Sequence, residues 1–458
     1  MRLRVKPAMT RVVIIISHVG ASTYSENKYK MYIMKDTNKN KSLIRGKNGE
    51  NFLVPFILIT SLFFLWAVAN NMTDTLLSAF KRILSMTNYQ TSLIQVAFYG
   101  AYFCLALPAA LFIKRYTYKS GVLLGLFVYA AGCFLFYPAS QSLSYEFFLL
   151  AFFVAAAGCS ILETSANPYI ITMGPEETST QRLNLAQAFN PFGAITGIML
   201  SKYFILSQLN TAGAEERQLM SPDALEEMQL HELGAISNTY ALVGLALILV
   251  FFLVLVVKMP KNSDTSVLEG NVFMRLWKNK KYCYGVIAQF FYVGAQIGVW
   301  SFTIAYAIEH LGVSEADASF YYLLSIILFS IARFIFTALM RIIRPSLLLF
   351  YAAIAASIAC VATIFLGAMP GVIALVCISV FMSLMFPTIY GIALNRLGDD
   401  TKIGASGLIM AILGGAIITA LQGKLADIGS INTSFFIPLV CFIVVGVYGF
   451  WNARRKEE

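Results

Sequence analysis

The chain has 458 residues, 58% of them hydrophobic and 13% charged, with a formal net charge of +10, whereas a typical soluble domain is about half apolar with roughly a quarter of its residues charged. That composition excludes an ordinary soluble globular protein, and the lack of a glycine period, a heptad or a high charge content excludes collagenous, coiled-coil and disordered chains. A polytopic membrane protein remains: about 20 residues of helix cross a hydrocarbon core, so twelve crossings use about 240 residues and leave the rest for loops and tails.

Residues 1–51 read as a cytoplasmic tail holding eleven of the 34 Lys and Arg. Residues 12–16 are too short an apolar run to span a bilayer, and the residues after them do not suit a signal-peptide cleavage site. Met31 and Met34 stand just before the basic stretch from Lys35 to Lys47, so either is a candidate start. Expression from Met34 is expected to retain uptake, measured as accumulation of labelled substrate; normal insertion without transport would refute it.

Apolar runs follow near 52–80, 91–113, 120–140, 145–173, 183–207 and 236–257, then near 284–308, 318–340, 346–368, 370–395, 403–423 and 432–452. The longest polar connection between them, 258–283, separates six from six. It reads as a cytoplasmic linker between halves at 52–257 and 284–453, with a short tail at 454–458. Seventeen Lys and Arg, from Lys114 to Lys456, fall on one side of the spans, against Lys81, Arg82, Lys202, Arg217 and Lys424 on the other. With the basic tail added, this bias puts both termini in the cytoplasm, and the loop 208–235 on the other side is acidic. The charge belongs at anionic headgroups, not on nucleic acid. The seven cysteines sit in or beside apolar runs without CxxC spacing, as reduced packing residues.

Ionisable groups inside spans are expensive and therefore functional candidates. Asp74 ends the first-span string from Trp66, where spacings of four align Trp66, Asn70 and Asp74 on one face and Asn71 lies beside them. Glu163, in the fourth span, has Asn167 one turn on, and Pro168 frees a carbonyl. The fifth span repeats the idea with Asn184, Gln187 and Asn190 before Pro191, and the seventh aligns Gln289, Tyr292, Gln296 and Trp300. The tenth offers Tyr390 and Asn395. Isolated amides can simply join helices by hydrogen bonds, but two carboxylates with amides and a Trp on several spans exceed what such glue needs. Gly121 and Gly125, and Gly193 and Gly197, read as small-residue packing sites, and Arg333 as a structural partner of a helix end or carboxylate. The only histidines are His18, His231 and His310, none deep in a span, and no phosphate loop occurs, so neither ATP-driven transport nor enzymatic chemistry is expected.

Two six-helix halves about a cytoplasmic linker resemble the major facilitator superfamily, an all-α fold of twelve transmembrane helices. The strings Trp66-Ala-Val-Ala-Asn-Asn-x-x-Asp74, Leu162-Glu-Thr-x-Ala-Asn-Pro168, Arg182-Leu-Asn-Leu-Ala-Gln187, Ala288-Gln-Phe-x-Tyr-Val-Gly-Ala-Gln296 and Asp400-Thr-Lys402 are similar to its fucose/galactose/hexose proton symporters, on the fucose branch. The similarity runs from about residue 52 to 452. It implies proton translocation and substrate-linked protonation at Asp74 and Glu163, sugar contacts from Asn71 and Asn190 with Gln187 nearby, and residence in a bacterial inner membrane. Glucose, galactose and N-acetylglucosamine carriers of the family differ in the first-span string and carry Glu where Gln296 stands. Two positions depart from the fucose pattern: Thr73 replaces an Asn and Phe386 an aromatic hydroxyl. The spans expected to line the cavity are the first, fourth, seventh and tenth. A carboxylate in a low-dielectric cavity takes up a proton more readily than one in water, which suits loading on one side and release on the other. The expectation is a monomeric, cofactor-free symporter whose partners are a deoxyhexose such as L-fucose, protons and the bilayer. The first alternative is a symporter of another hexose (galactose, glucose or N-acetylglucosamine), and a proton/drug antiporter and a non-transporting sugar sensor are more distant rivals.

Overall fold

The computed structural model describes residue 43 and residues 52–84, 86, 88–210, 216–217, 219–259 and 271–455. Within these helices the side chains of a few residues, Asp74 among them, lie outside the described set, as do residues 1–42 with the candidate starts. Among the described residues there is no strand, and eleven helical segments are long and apolar enough to cross a membrane. The first half contains α1 (Leu53–Ile83), α2 (Asn88–Arg115), α3 (Tyr118–Ser142), α4 (Tyr145–Thr172), α5 (Ser179–Gln187), α6 (Asn190–Leu200) and α7 (Pro222–Val256). A short α8 (Val272–Lys278) precedes α9 (Lys280–Leu311), α10 (Glu315–Leu339), α11 (Pro345–Leu366), α12 (Ala368–Met382), α13 (Met385–Leu394), α14 (Thr401–Met410), α15 (Gly414–Ile428), α16 (Ile431–Ser434) and α17 (Phe436–Arg454). Polar caps start several of them: Thr117, Ser144, Asn279 and Ser314 each accept a bond from a backbone N–H in the first turn.

The fifth crossing differs from the single run expected near 183–207. It starts at Ser179 and breaks between α5 and α6, then ends in a wide turn over Ser201–Ile205 and a tight one over Leu206–Gln208. The cause is Pro191, which has no N–H to give the Gln187 carbonyl four residues back. The tenth crossing breaks between α12 and α13 in the same way, with Pro387 leaving the Ser383 carbonyl without its helical donor.

Small residues set the helix spacing. A Cβ on Gly193 would lie 2.1 Å from the Phe64 carbonyl oxygen and one on Gly197 2.2 Å from that of Val68, so α1 and α6 touch backbone to backbone. A Cβ on Gly125 would lie 2.9 Å from the Leu162 backbone nitrogen, one on Gly132 2.4 Å from that of Ala155 and one on Gly158 2.3 Å from that of Tyr129, so α3 and α4 are as closely packed. No rotamer can relieve a clash with a backbone oxygen. Gly193→Leu is therefore expected to force α1 from α6 and destabilise the fold by about 1–3 kcal/mol, seen as a lower melting temperature in detergent.

Buried apolar side chains form two cores. One is drawn from α1 to α8 and takes in Tyr390, Ala393 and Leu394 of α13 and the Ile403–Ile409 stretch of α14; the other is drawn from α9 to α17. Exposed Phe127, Leu249, Phe252, Ile358 and Phe365 face outward from the bundle, as lipid contact requires. Two of the polar residues used to read orientation are tied into the fold. Arg217 forms a two-pronged pair with Glu232 at 2.9 and 2.7 Å, both buried. Arg275 of α8 grips Asp400 in the same way at 2.9 and 2.7 Å, which fastens the end of the linker to the start of the eleventh crossing. The bond to Asp400 pushes the Arg275 guanidinium above its ordinary value.

Candidate functional site

Glu163 lies in the buried stretch of α4 that runs from Ala155 to Ile171. Its Oε1 accepts a hydrogen bond from the Tyr102 hydroxyl of α2 at 2.9 Å, and Asn70 of α1 stands beside that same hydroxyl. The Cys159 thiol, one turn before Glu163, reaches the Asn70 Oδ1 at 3.7 Å. First, second and fourth crossings thus converge on one carboxyl. Tyr102 carries no sequence signal beyond a hydroxyl in an apolar run, and sequence reasoning missed it. Among the described residues no cation pairs with Glu163. Burying an unpaired charge is costly.

Asn167 extends the group by one turn. Its Nδ2 donates to the Glu163 carbonyl at 3.0 Å, and its Oδ1 accepts from the Gln187 Nε2 at 2.8 Å. Asn190, past the break, donates to the Phe63 carbonyl at 3.2 Å, and Asn71 to that of Ala67 at 2.9 Å. Trp66 is buried against Phe63, with ring centroids 4.4 Å apart. The Asn184 amide takes a different role: it crosses to the Thr388 hydroxyl of α13 at 3.2 Å. Asp74 follows Asn70 by one turn on α1, and its side chain falls outside the described residues.

The second half faces this group with less polarity. Gln289 is fully buried, and among the described residues neither amide atom has a hydrogen-bond partner. The Tyr390 hydroxyl is likewise buried without one, within electrostatic reach of Glu163. Phe386 stacks on Tyr390 at 6.2 Å and tilts toward Tyr292 at 6.4 Å, so it keeps the apolar face of an aromatic there and drops the hydroxyl. Trp300 donates to the Ser379 hydroxyl at 3.2 Å and meets Phe329 edge-on at 5.1 Å. Gln296 is half-buried on the same helix. Asn395 stands apart: it caps α13 at the end of the bundle, where the Lys281 Nζ bonds its carbonyl and its side chain, both at 3.3 Å.

Among the described residues Arg333 pairs with no carboxylate. From α10 its Nε donates to the Ser383 carbonyl at 2.6 Å and its Nη1 to the Gln187 carbonyl at 2.9 Å, with the guanidinium 4.5 Å over the Phe329 ring. These are the two carbonyls that Pro387 and Pro191 leave without helical donors. With Gln181 to the Thr337 carbonyl at 2.9 Å and Asn184 to Thr388, the contact with Gln187 makes a row at intervals of three along α5 that ties the halves together. It lies toward the end of the bundle carrying Lys114, Arg115 and Arg396.

A two-core helical bundle with broken fifth and tenth crossings and a polar group at its centre defines a major facilitator protein. The Major Facilitator Superfamily profile matches residues 57–413, and the chain belongs to that family. It is 41% identical to the L-fucose-proton symporter of Haemophilus influenzae, over 88% of this chain and 97% of that one. It is 38% identical to the L-fucose-proton symporter of Escherichia coli, over 90% and 95%. Among solved structures it is similar to the major facilitator transporter FucP in the outward conformation, with a TM-score of 0.83 and 37% identity over 88% of this chain and 99% of that one.

Proposed function

We propose that this protein is an L-fucose/proton symporter that works by alternating access, with halves at 52–257 and 284–453 rocking about a midplane site. The observation that carries the reading is Glu163, a buried carboxyl without a cation among the described residues, set in a chain of amides opposite an aromatic wall. A sugar needs amide and carboxyl partners for its hydroxyls and an aromatic face for its C–H side. Gln289, Tyr390, Gln187, Asn190 and Asn71 supply the first, with Trp66, Trp300 and Phe386 for the second, and Asn70, Asn167 and Gln296 complete the lining. Asp74 and Glu163 carry the proton. Likeness to two L-fucose-proton symporters at 41% and 38% supports the choice of sugar. The protein sits as a monomer in a bacterial inner membrane with both termini in the cytoplasm, and the proton gradient drives it without a cofactor.

In proteoliposomes unlabelled L-fucose is expected to compete for uptake far better than glucose or N-acetylglucosamine. Competition led by glucose would overturn the assignment. L-galactose, which keeps the ring stereochemistry and adds a hydroxyl on C6, should compete moderately, because a pocket that mainly reads the ring cannot strongly reject one added hydroxyl. Counterflow of labelled fucose separates a carrier from a sensor, since a sensor binds saturably and does not exchange.

A further inference from the structure

We propose that Arg333 is a positioning residue of the transport cycle, a reversible catch that spans the two proline breaks and holds Gln187 against the site while the basic end of the bundle is closed. The inference rests on the alternating-access reading above. Pro191 and Pro387 each strip a carbonyl, one per half, of its helical donor. A buried carbonyl left alone is costly, and a single guanidinium, itself 3% exposed, serves both. Ser383 is in the same half as Arg333 and Gln187 is in the other, so the bond to Gln187 is the one that rocking must break. Once the basic end opens, water can reach the Gln187 carbonyl, which lowers the cost of letting go.

The catch also reaches the site. The residue that lends its carbonyl to Arg333 uses its side chain on Asn167, and Asn167 bonds the Glu163 backbone. Closure at the basic end therefore fixes a side chain that faces the sugar. A lysine could not do the same work, because one Nζ offers no rigid fork to bridge two carbonyls.

The test uses full-length protein in proteoliposomes, with the seven native cysteines replaced and Thr180→Cys as a reporter. Thr180 is buried against Gly391 across the closed end, where a Cβ on Gly391 would meet its hydroxyl at 2.7 Å. Arg333→Met should speed alkylation of the reporter from the basic side by about ten- to a hundredfold, the worth of one hydrogen bond to a charged group, and Arg333→Lys should fall between. Pro191→Ala restores an N–H to the Gln187 carbonyl and should loosen the catch with Arg333 intact. If Arg333→Met does not insert, the triple variant with Pro191→Ala and Pro387→Ala satisfies both carbonyls internally and gives the same readout. Unchanged alkylation in Arg333→Met, or in the triple variant, and in Pro191→Ala would overturn the proposal. The readout needs no sugar, so a wrong substrate would show in the competition assay and leave this result standing.

Discussion

Glu163→Gln is expected to abolish uphill uptake of L-fucose while leaving its binding in place and almost independent of pH. The amide imitates the neutral carboxyl in size and keeps an acceptor for Tyr102, whose hydroxyl now meets Oε1 at 2.9 Å. The coupling proposed above requires the protonated form to hold the sugar, so in the unaltered protein binding is expected to weaken as pH rises from about 5.5 to 8; an Asp or Glu in water titrates near 4 and would be silent across that window. The variant cannot lose a proton, so its binding curve should stay flat. Steady-state accumulation should fall to the equilibrated level, a loss of about tenfold or more under a gradient of one pH unit. Equilibrium binding and uptake over the same pH range decide it. A steep pH dependence persisting in the variant would remove Glu163 from the coupling step.

Asp74→Asn is expected to give a different defect. Two carboxyls on neighbouring crossings can hold different protonation states, so neutralising each interrupts a different step. With Asp74 neutralised, proton movement through the cycle is blocked, while the loaded carrier can still exchange its sugar between the two faces. Accumulation should vanish and fucose counterflow should survive. Accumulation on a proton gradient in Asp74→Asn would place the proton role elsewhere. Both variants should lose accumulation and keep the sugar, and what tells them apart is the pH dependence of binding, which Glu163→Gln is expected to lose.

Most of the bundle was legible in the chain because membrane crossing is a local property. An apolar run of about 20 residues must form its backbone hydrogen bonds within itself in lipid, so eleven of twelve crossings fall where the runs do. The small-residue pairs Gly193 with Gly197 and Gly121 with Gly125 were readable for a similar reason, since helical spacing alone puts them on one face. The expensive residues were legible too: Glu163 and Arg333 stand out in any apolar string.

What those residues do was decided by the tertiary structure. The sequence placed Pro191 and Pro387 and so determined which carbonyls would lose a donor, but the donor that replaces both sits on α10, 146 residues from Gln187 and 50 from Ser383. Tyr102 reaches Glu163 across 61 residues, and nothing in its own neighbourhood marks it. Asn184, Gln187 and Asn190 share a spacing of three yet serve three partners, Thr388, Asn167 and the Phe63 carbonyl. Helical period fixes which side chains share a face, because it depends on bonds within four residues; which group that face meets depends on how the helices pack, and there a shift of one residue exchanges one partner for another.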